Sequence, residues 1–242
     1  MNLLSSTSIF SFYTLISRVL GYLRDILIAI FLGSGALADA FFVAFRIPNT
    51  FRRLFGEGSF NAAFIPSYSS ELITGKKKAK KFANEIFNLL MLGLLLLVIV
   101  IEILMPGFVY LIAPGFYEDQ SKLELTTTLT RITFPFLLFI SLASFFSAIL
   151  NSHNRFGIAA AAPIILNLIL ILIIFLGKKN NDELVIYLSY GVSLAGLIQL
   201  IFVYFFSKKY FNPIINFKFK VTKKINFFFS KLLPGIFSSG VT

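Results

Sequence analysis

The sequence contains no cysteine, no tryptophan and one histidine, His153, and it is poor in charge. Without cysteine it can form no disulfide and offers no thiolate to a metal or a substrate. Charged residues occupy 14% of the 242 positions, against about 25% in soluble domains. The nucleotide-loop, zinc-protease and Ser/His/Asp signatures are missing as well. These scarcities predict a protein that is not an enzyme and that uses no metal and no cofactor.

Hydrophobic residues, by contrast, make up 57% of the chain and gather in long runs. A membrane-crossing helix needs roughly 17–25 mostly apolar residues, and continuous rather than alternating runs favour helices over barrel strands. The sequence therefore predicts an all-α, polytopic membrane helix bundle with six transmembrane helices and the start of a seventh. The predicted spans are residues 7–32, 37–56, 83–112, 126–150, 158–176 and 184–206.

The predicted organisation has three parts. Residues 1–206 form the six-helix lobe, and residues 207–231 form a basic, amphipathic cytoplasmic linker that lies on the inner leaflet. Residues 232–242 begin a seventh helix but are too short to span a bilayer. We therefore expect the chain to be an N-terminal fragment of a longer protein. Pro106 is expected to kink or end the third span, since proline removes a backbone donor.

Basic residues indicate the orientation. With the N-terminus in the cytoplasm, the predicted inner loops hold thirteen Lys and Arg residues and the outer loops hold three. Such a bias sets membrane topology. The lysine runs in the inner loop 66–82 and in the linker are interpreted as topology signals that contact anionic lipid headgroups, and not as a nucleic-acid site. His153, in the inner loop 151–157, is predicted to be a solvated loop residue.

The first two spans carry charges that a lipid-facing helix cannot easily accommodate, at a cost of about 2.5–3.5 kcal/mol each. Arg18 and Asp25 are seven residues apart, so they lie on one helical face, and Asp39 and Arg46 have the same spacing. Each charged stripe should therefore face a partner or a wet cavity. The candidate substrate-binding residues are Arg18, Arg24, Asp25, Asp39, Arg46, Arg52, Arg53 and Glu57.

Arginine exceeds acid in this hairpin, with five arginines against three acids. Structural ion pairing would tend towards balance, whereas a planar guanidinium suits phosphate oxygens. The surplus therefore indicates an anionic ligand. The alternative is that arginines at the helix ends reach headgroups while the others pair internally, and Arg52 and Arg53 fit that alternative well.

Short motifs in the chain resemble a known family. They are SRVLG at 17–21, RD at 24–25, DAFFVAF at 39–45, PN at 48–49, RR at 52–53, EG at 57–58, AFIP at 63–66, APGF at 113–116, TFP at 133–135 and AILN at 148–151. In this order they resemble the MurJ/MviN lipid II flippases of the multidrug/oligosaccharidyl-lipid/polysaccharide (MOP) superfamily.

The resemblance implies one lobe of a fourteen-helix, two-lobed transporter in the bacterial inner membrane. Its ligand would be lipid II, the undecaprenyl-pyrophosphate-linked peptidoglycan precursor, carried to the outer leaflet by alternating access for cell wall synthesis. A C-terminal lobe and membrane lipids would be its partners, with no nucleic acid. The resemblance assigns functional positions to Arg18, Arg24, Asp39, Arg52 and Glu57, and a substrate contact to Arg24 with Asp25. The alternatives are a flippase for another undecaprenyl-pyrophosphate-linked saccharide and a non-transporting membrane scaffold.

Overall fold

The computed structural model describes residues 3–52, 59–116, 118–177, 180–216, 228 and 230, with the backbone alone at 3–7, 51, 52 and 59. Across these residues the secondary structure is helical and contains no strand. The α-helices are α1 (Leu3–Leu32), α2 (Ala36–Arg52), α3 (Ser59–Thr74), α4 (Lys76–Ile103), α5 (Met105–Ile112), α6 (Gln120–Thr133), α7 (Phe136–Ser152), α8 (Phe156–Leu176) and α9 (Asn181–Ser207), with a 3-10 turn at Pro114–Phe116.

Four helical stretches in the described part are long and apolar enough to cross a membrane. They are Lys76–Ile103, Gln120–Ser152, Phe156–Leu176 and Asn181–Ser207. Helix α1 is long but carries three charges within its apolar part, and α2 has 17 residues. The prediction of an all-α, multi-pass membrane protein is confirmed, whereas the number of six spans stays a prediction.

Proline divides two of the predicted spans. Helix α4 ends at Ile103 and α5 begins at Met105, so that Pro106 lies in the first turn of α5, where its missing N–H costs nothing. The expected end of a helix near Pro106 is therefore confirmed. In the next predicted span, α6 and α7 are separated by Phe134 and Pro135.

Helix α3 occupies a region that the sequence predicted to be partly loop. The expected inner loop 66–82 is helical on both sides of Gly75, whose φ of +139° breaks the path between α3 and α4. Phe60, Phe64 and Tyr68 repeat at helical spacing and are almost fully buried, with Phe64 5.1 Å from Phe145 of α7 between ring centroids. The prediction was wrong because α3 has only 16 residues that mix polar and apolar side chains, and a search for continuous apolar runs does not find such a helix.

The described part of the predicted linker packs on the bundle, and its position on the inner leaflet stays a prediction. Phe211 is 1% exposed. Asn84 of α4 accepts a hydrogen bond from the Ile214 N–H at 2.7 Å. Asn88 of α4 donates to the Ile214 carbonyl at 3.0 Å and accepts from the Asn216 N–H at 3.0 Å. Most of the remaining linker and the predicted seventh helix, residues 232–242, lie outside the described residues.

The two helices of the first hairpin pack on different neighbours. Helix α1 lies mainly against α8, and α2 lies mainly against α6. The turn between them includes Gly33 at φ +70°, a left-handed conformation that suits glycine. Helices α7 and α9 pack on each other at the centre of the bundle, and α1 and α2 each keep one side exposed.

Candidate anion-binding site of the first hairpin

Arg24 connects three helices. From α1, its Nη1 donates a 2.8 Å hydrogen bond to Asn167 Oδ1 of α8. Its guanidinium carbon lies 5.2 Å from the ring centroid of Phe45 on α2, within the range of a cation–π contact. Its side chain is 11% exposed. The guanidinium is therefore held in place by the fold and still reaches the surface.

Asp25 neutralises Arg24 through a single oxygen. Arg24 Nε and Nη2 donate to Asp25 Oδ1 at 2.9 and 2.7 Å. A guanidinium has five N–H donors, so one on Nη1 and one on Nη2 remain for a ligand. The Asp25 carboxylate is 53% exposed. An incoming anion can therefore bind Arg24 directly while its packing partners stay in place.

Asn167 is a site residue that the sequence analysis missed. It is 5% exposed and also donates through Nδ2 to the Ser17 carbonyl of α1 at 2.9 Å. Gly21 lies beside it, since a Cβ added there would be 3.6 Å from Asn167 Nδ2. The available signal was an asparagine inside the apolar run of α8, because amides within membrane helices usually bond a neighbouring helix.

Asp39 lies in the first turn of α2 and bonds a residue outside the hairpin. Lys122 Nζ of α6 is 2.6 Å from Asp39 Oδ2 and also lies 4.1 Å from the Phe116 ring centroid. The side chains of Asp39 and Lys122 are 57% and 17% exposed. Asp39 is therefore occupied by an ion pair, and Lys122, expected only in an outer loop, is its partner.

Arg18 and Arg46 are both exposed, and no described acidic side chain pairs with either of them. Arg18 and Asp25 lie on an exposed face of α1, and Asp39 and Arg46 lie on an exposed face of α2, as their spacing predicted. The structure describes only the backbone of Arg52, while Arg53 and Glu57 lie outside the described residues. Their predicted roles stay predictions.

The described charges that belong to the hairpin or pair with it do not balance. Four cationic side chains, Arg18, Arg24, Arg46 and Lys122, accompany two acids, Asp25 and Asp39, which leaves two positive charges. Fixed guanidinium groups with open donors bind phosphate oxygens through charge-assisted hydrogen bonds. In the described residues no group of His, Asp and Glu side chains could hold a metal ion. The chemistry available here is anion binding.

His153 is more enclosed than the sequence predicted. Its ring stacks on Tyr210 at 4.1 Å between centroids, and its Nε2 lies 3.3 Å from the Tyr68 hydroxyl. Burial lowers the pKa of His153, and the positive charges of Lys76 and Lys209 lower it further. His153 thus lies in the predicted loop but is half-buried and not fully solvated, because α3 and the segment after α9 pack over the loop.

Comparison with known sequences identifies relatives over most of the chain. The family model for "Lipid II flippase MurJ" matches residues 28–242. A probable lipid II flippase MurJ from Rhizobium tropici is 46% identical over 79% of this chain and 37% of its own length. One from Rickettsia prowazekii is 39% identical over 86% of this chain and 41% of its own length. The chain thus spans about two-fifths of these curated relatives.

Solved structures give the same fold. A lipid II flippase MurJ in an inward closed conformation has a TM-score of 0.74 and 31% identity, and the match covers 96% of this chain and 47% of that one. An outward-facing multidrug resistance MATE family transporter of the MOP superfamily has a TM-score of 0.69 at 16% identity, which shows the fold alone. By its family model, its curated relatives and its fold, this chain belongs to the MurJ family of lipid II flippases.

Proposed function

We propose that the chain forms the first lobe of a protein that moves lipid II from the cytoplasmic to the outer leaflet of the bacterial inner membrane. The names of its curated relatives and its likeness to a solved MurJ support this proposal. The observation that carries it is the surplus of positive charge on the first hairpin, where Arg24 keeps open donors and the exposed Arg18 and Arg46 have no acidic partner among the described residues. A lipid-borne diphosphate supplies the anion that such a surface binds.

The proposed topology has six spans, with the N-terminus in the cytoplasm. The spans are α1, α2, α4 with α5, α6 with α7, α8, and α9. In this arrangement the lysines that begin α4 and those that follow α9 face the cytoplasm, in agreement with the positive-inside rule. The short connection between α1 and α2 then faces outward.

In the proposed mechanism the hairpin captures the diphosphate head while the lipid tail stays in the bilayer. Arg24 donates to a phosphate oxygen, and the exposed Arg18 and Arg46 add positive charge near it. Release on the other side requires a second lobe, because alternating access is a movement of one bundle against another around the site. The C-terminal lobe of the longer relatives is the proposed partner.

The proposal is tested in bacteria depleted of their own flippase, with this protein expressed in the longest form that its gene encodes. Arg24→Ala should abolish lipid II translocation while the variant still inserts in the membrane at the normal level. Lys78→Ala is the matched control, since it removes one charge from an exposed side chain of α4 and should leave translocation unchanged.

Three results would contradict the proposal. Normal translocation by Arg24→Ala at normal expression rejects the assigned role of the hairpin. A different undecaprenyl-pyrophosphate-linked substrate is indicated if the unchanged protein does not support lipid II translocation but rescues bacteria that lack another exporter of lipid-linked saccharides. A requirement for the basic segment 76–81, with tolerance of the arginine changes, favours a scaffold instead.

A further inference from the structure

A second feature with a basic rim lies apart from Arg24, where α1 and α8 begin and α9 ends. A groove of about 350 Å³ opens there between the three helices. This volume lies within the range of about 300–1,000 Å³ that is typical of ligand sites. Its walls are apolar side chains, among them Tyr13, Ala161, Phe202 and Phe206. Asn154 and Arg155 form its polar rim.

A glycine in the groove lining lets α1 and α8 approach closely. A Cβ added at Gly157 would lie 2.7 Å from Ile9 Cγ2, so a larger residue there would push α1 away from α8. Ala161 lies one helical turn further along α8 and also lines the groove. Phe206 on the opposite wall is 39% exposed, and Ile9 is 43% exposed. The groove is therefore an open apolar slot on the side of the bundle.

Arg155 brings an unsatisfied charge to this slot. Its Nε donates to the Tyr210 hydroxyl at 3.2 Å, and its two terminal nitrogens bond no group in the described part of the chain. The side chain is exposed. Two further cations follow α9, with Lys208 Nζ 4.2 Å from the Phe205 ring centroid and Lys209 Nζ 4.8 Å from that of Tyr210. The rim is therefore positive.

The positive charge near the groove also affects His153, which lies two residues before Arg155. Burial lowers the pKa of His153, and the charges of Lys76 and Lys209 lower it further. In the proposed topology this end of the bundle meets the inner leaflet, where anionic lipids attract basic residues. An apolar slot with a cationic rim at that level is complementary to a lipid whose acyl chain lies below a phosphate headgroup.

We propose that the groove between α1, α8 and α9 binds a phospholipid of the surrounding bilayer, with its anionic headgroup on Arg155 and an acyl chain along Tyr13, Ala161 and Phe206. Phosphatidylglycerol has the required chemistry, and a zwitterionic headgroup lacks the net charge. The groove lies away from Arg24, so the proposal does not depend on lipid II transport, and it takes from the proposed function only the cytoplasmic position of the N-terminus.

Fluorescence quenching tests this site directly, because the 242 residues contain no tryptophan. A Tyr13→Trp variant places a reporter in the groove wall. Phe12→Trp is the matched control, since Phe12 is the adjacent residue, is 58% exposed and does not line the groove. The protein, in the longest form that its gene encodes and with any tryptophan beyond position 242 replaced by phenylalanine, is placed in phosphatidylcholine vesicles. Brominated phosphatidylglycerol or brominated phosphatidylcholine is then added as the quencher.

The expected result is a preference for brominated phosphatidylglycerol at the Tyr13→Trp reporter of about fivefold in relative binding constant, from one basic side chain at an anionic surface. Arg155→Gln should remove the preference. Lys80→Gln, which removes one exposed charge from α4, should keep it. Ala161→Leu should reduce quenching by both lipids, because it fills the slot. Helical content by circular dichroism confirms that each variant is folded.

Three results would overturn the proposal. The first is equal quenching by the two lipids at the Tyr13→Trp reporter, or the same preference at the Phe12→Trp reporter. The second is no quenching at the groove reporter, which means that protein, either another segment or a second copy, covers the slot. The third is displacement of the brominated lipid by an equimolar undecaprenyl pyrophosphate, which assigns the groove to a polyprenyl lipid.

Discussion

Arg24 Nη1 donates a 2.8 Å hydrogen bond to Asn167 Oδ1, and this bond fastens the charged face of α1 to the apolar helix α8. Asn167 Nδ2 also donates to the Ser17 carbonyl, so this one buried side chain binds α1 at two positions. The guanidinium is thereby oriented before any ligand arrives, which reduces the entropy that binding must overcome.

The first prediction concerns Asn167. Asn167→Leu should destabilise the protein by about 1–3 kcal/mol, because it leaves an Arg24 donor and the Ser17 carbonyl without their partner. Thermal unfolding in detergent measures the change. Asn181→Leu, at an exposed asparagine that begins α9, should have little effect and serves as the control. Equal stability of Asn167→Leu and the unchanged protein would show that the bond does not secure α1.

The second prediction concerns the ion pair between Asp39 and Lys122, which joins the starts of α2 and α6 at 2.6 Å. Asp39→Asn and Lys122→Gln, alone and together, form a double-mutant cycle. The coupling energy should be about 0.2–1 kcal/mol, because the carboxylate is largely exposed and solvent screens the pair. It should also shrink at high salt. Additive effects of the two changes at low salt would mean that the contact contributes nothing.

The third prediction concerns pH. His153 is the only histidine in the sequence, and its pKa in the folded protein lies below the ordinary value. The unfolded chain therefore binds the proton more readily, so stability should decrease as the pH falls below about 6.5 and through the folded pKa. His153→Gln should flatten this part of the profile. Thermal unfolding across the acidic range measures it, and an unchanged slope in the variant would rule out His153 as the source.

Much of the fold could be predicted from the sequence because membrane spans are encoded locally. Residues 158–176 and 184–206 were predicted, and α8 and α9 occupy Phe156–Leu176 and Asn181–Ser207. Helix α3 was not predicted, since its 16 residues mix polar and apolar side chains and its buried aromatic rings pack on distant helices. Such a helix is shorter than a membrane span, so its sequence contains no long apolar run.

The candidate site was predictable in its composition and not in its contacts. The spacing of Arg18 with Asp25, and of Asp39 with Arg46, correctly placed each pair on one face. The partners Asn167 and Lys122 could not be derived, because they lie 143 and 83 residues from the groups they bind. The packing of the whole bundle decides which helix lies beside α1 or α2, and a local sequence pattern does not predict it.

The most direct test of the central claim is the binding of undecaprenyl pyrophosphate to the purified protein, measured by native mass spectrometry. The double variant Arg18→Gln/Arg46→Gln removes two exposed charges of the hairpin, and Lys77→Gln/Lys80→Gln removes two from α4 as a control. The hairpin variant should bind at least about tenfold more weakly, from the loss of charged hydrogen bonds, while the control stays within about twofold. Equal affinity of the hairpin variant and the unchanged protein, or an equal loss in both double variants, would contradict the claim.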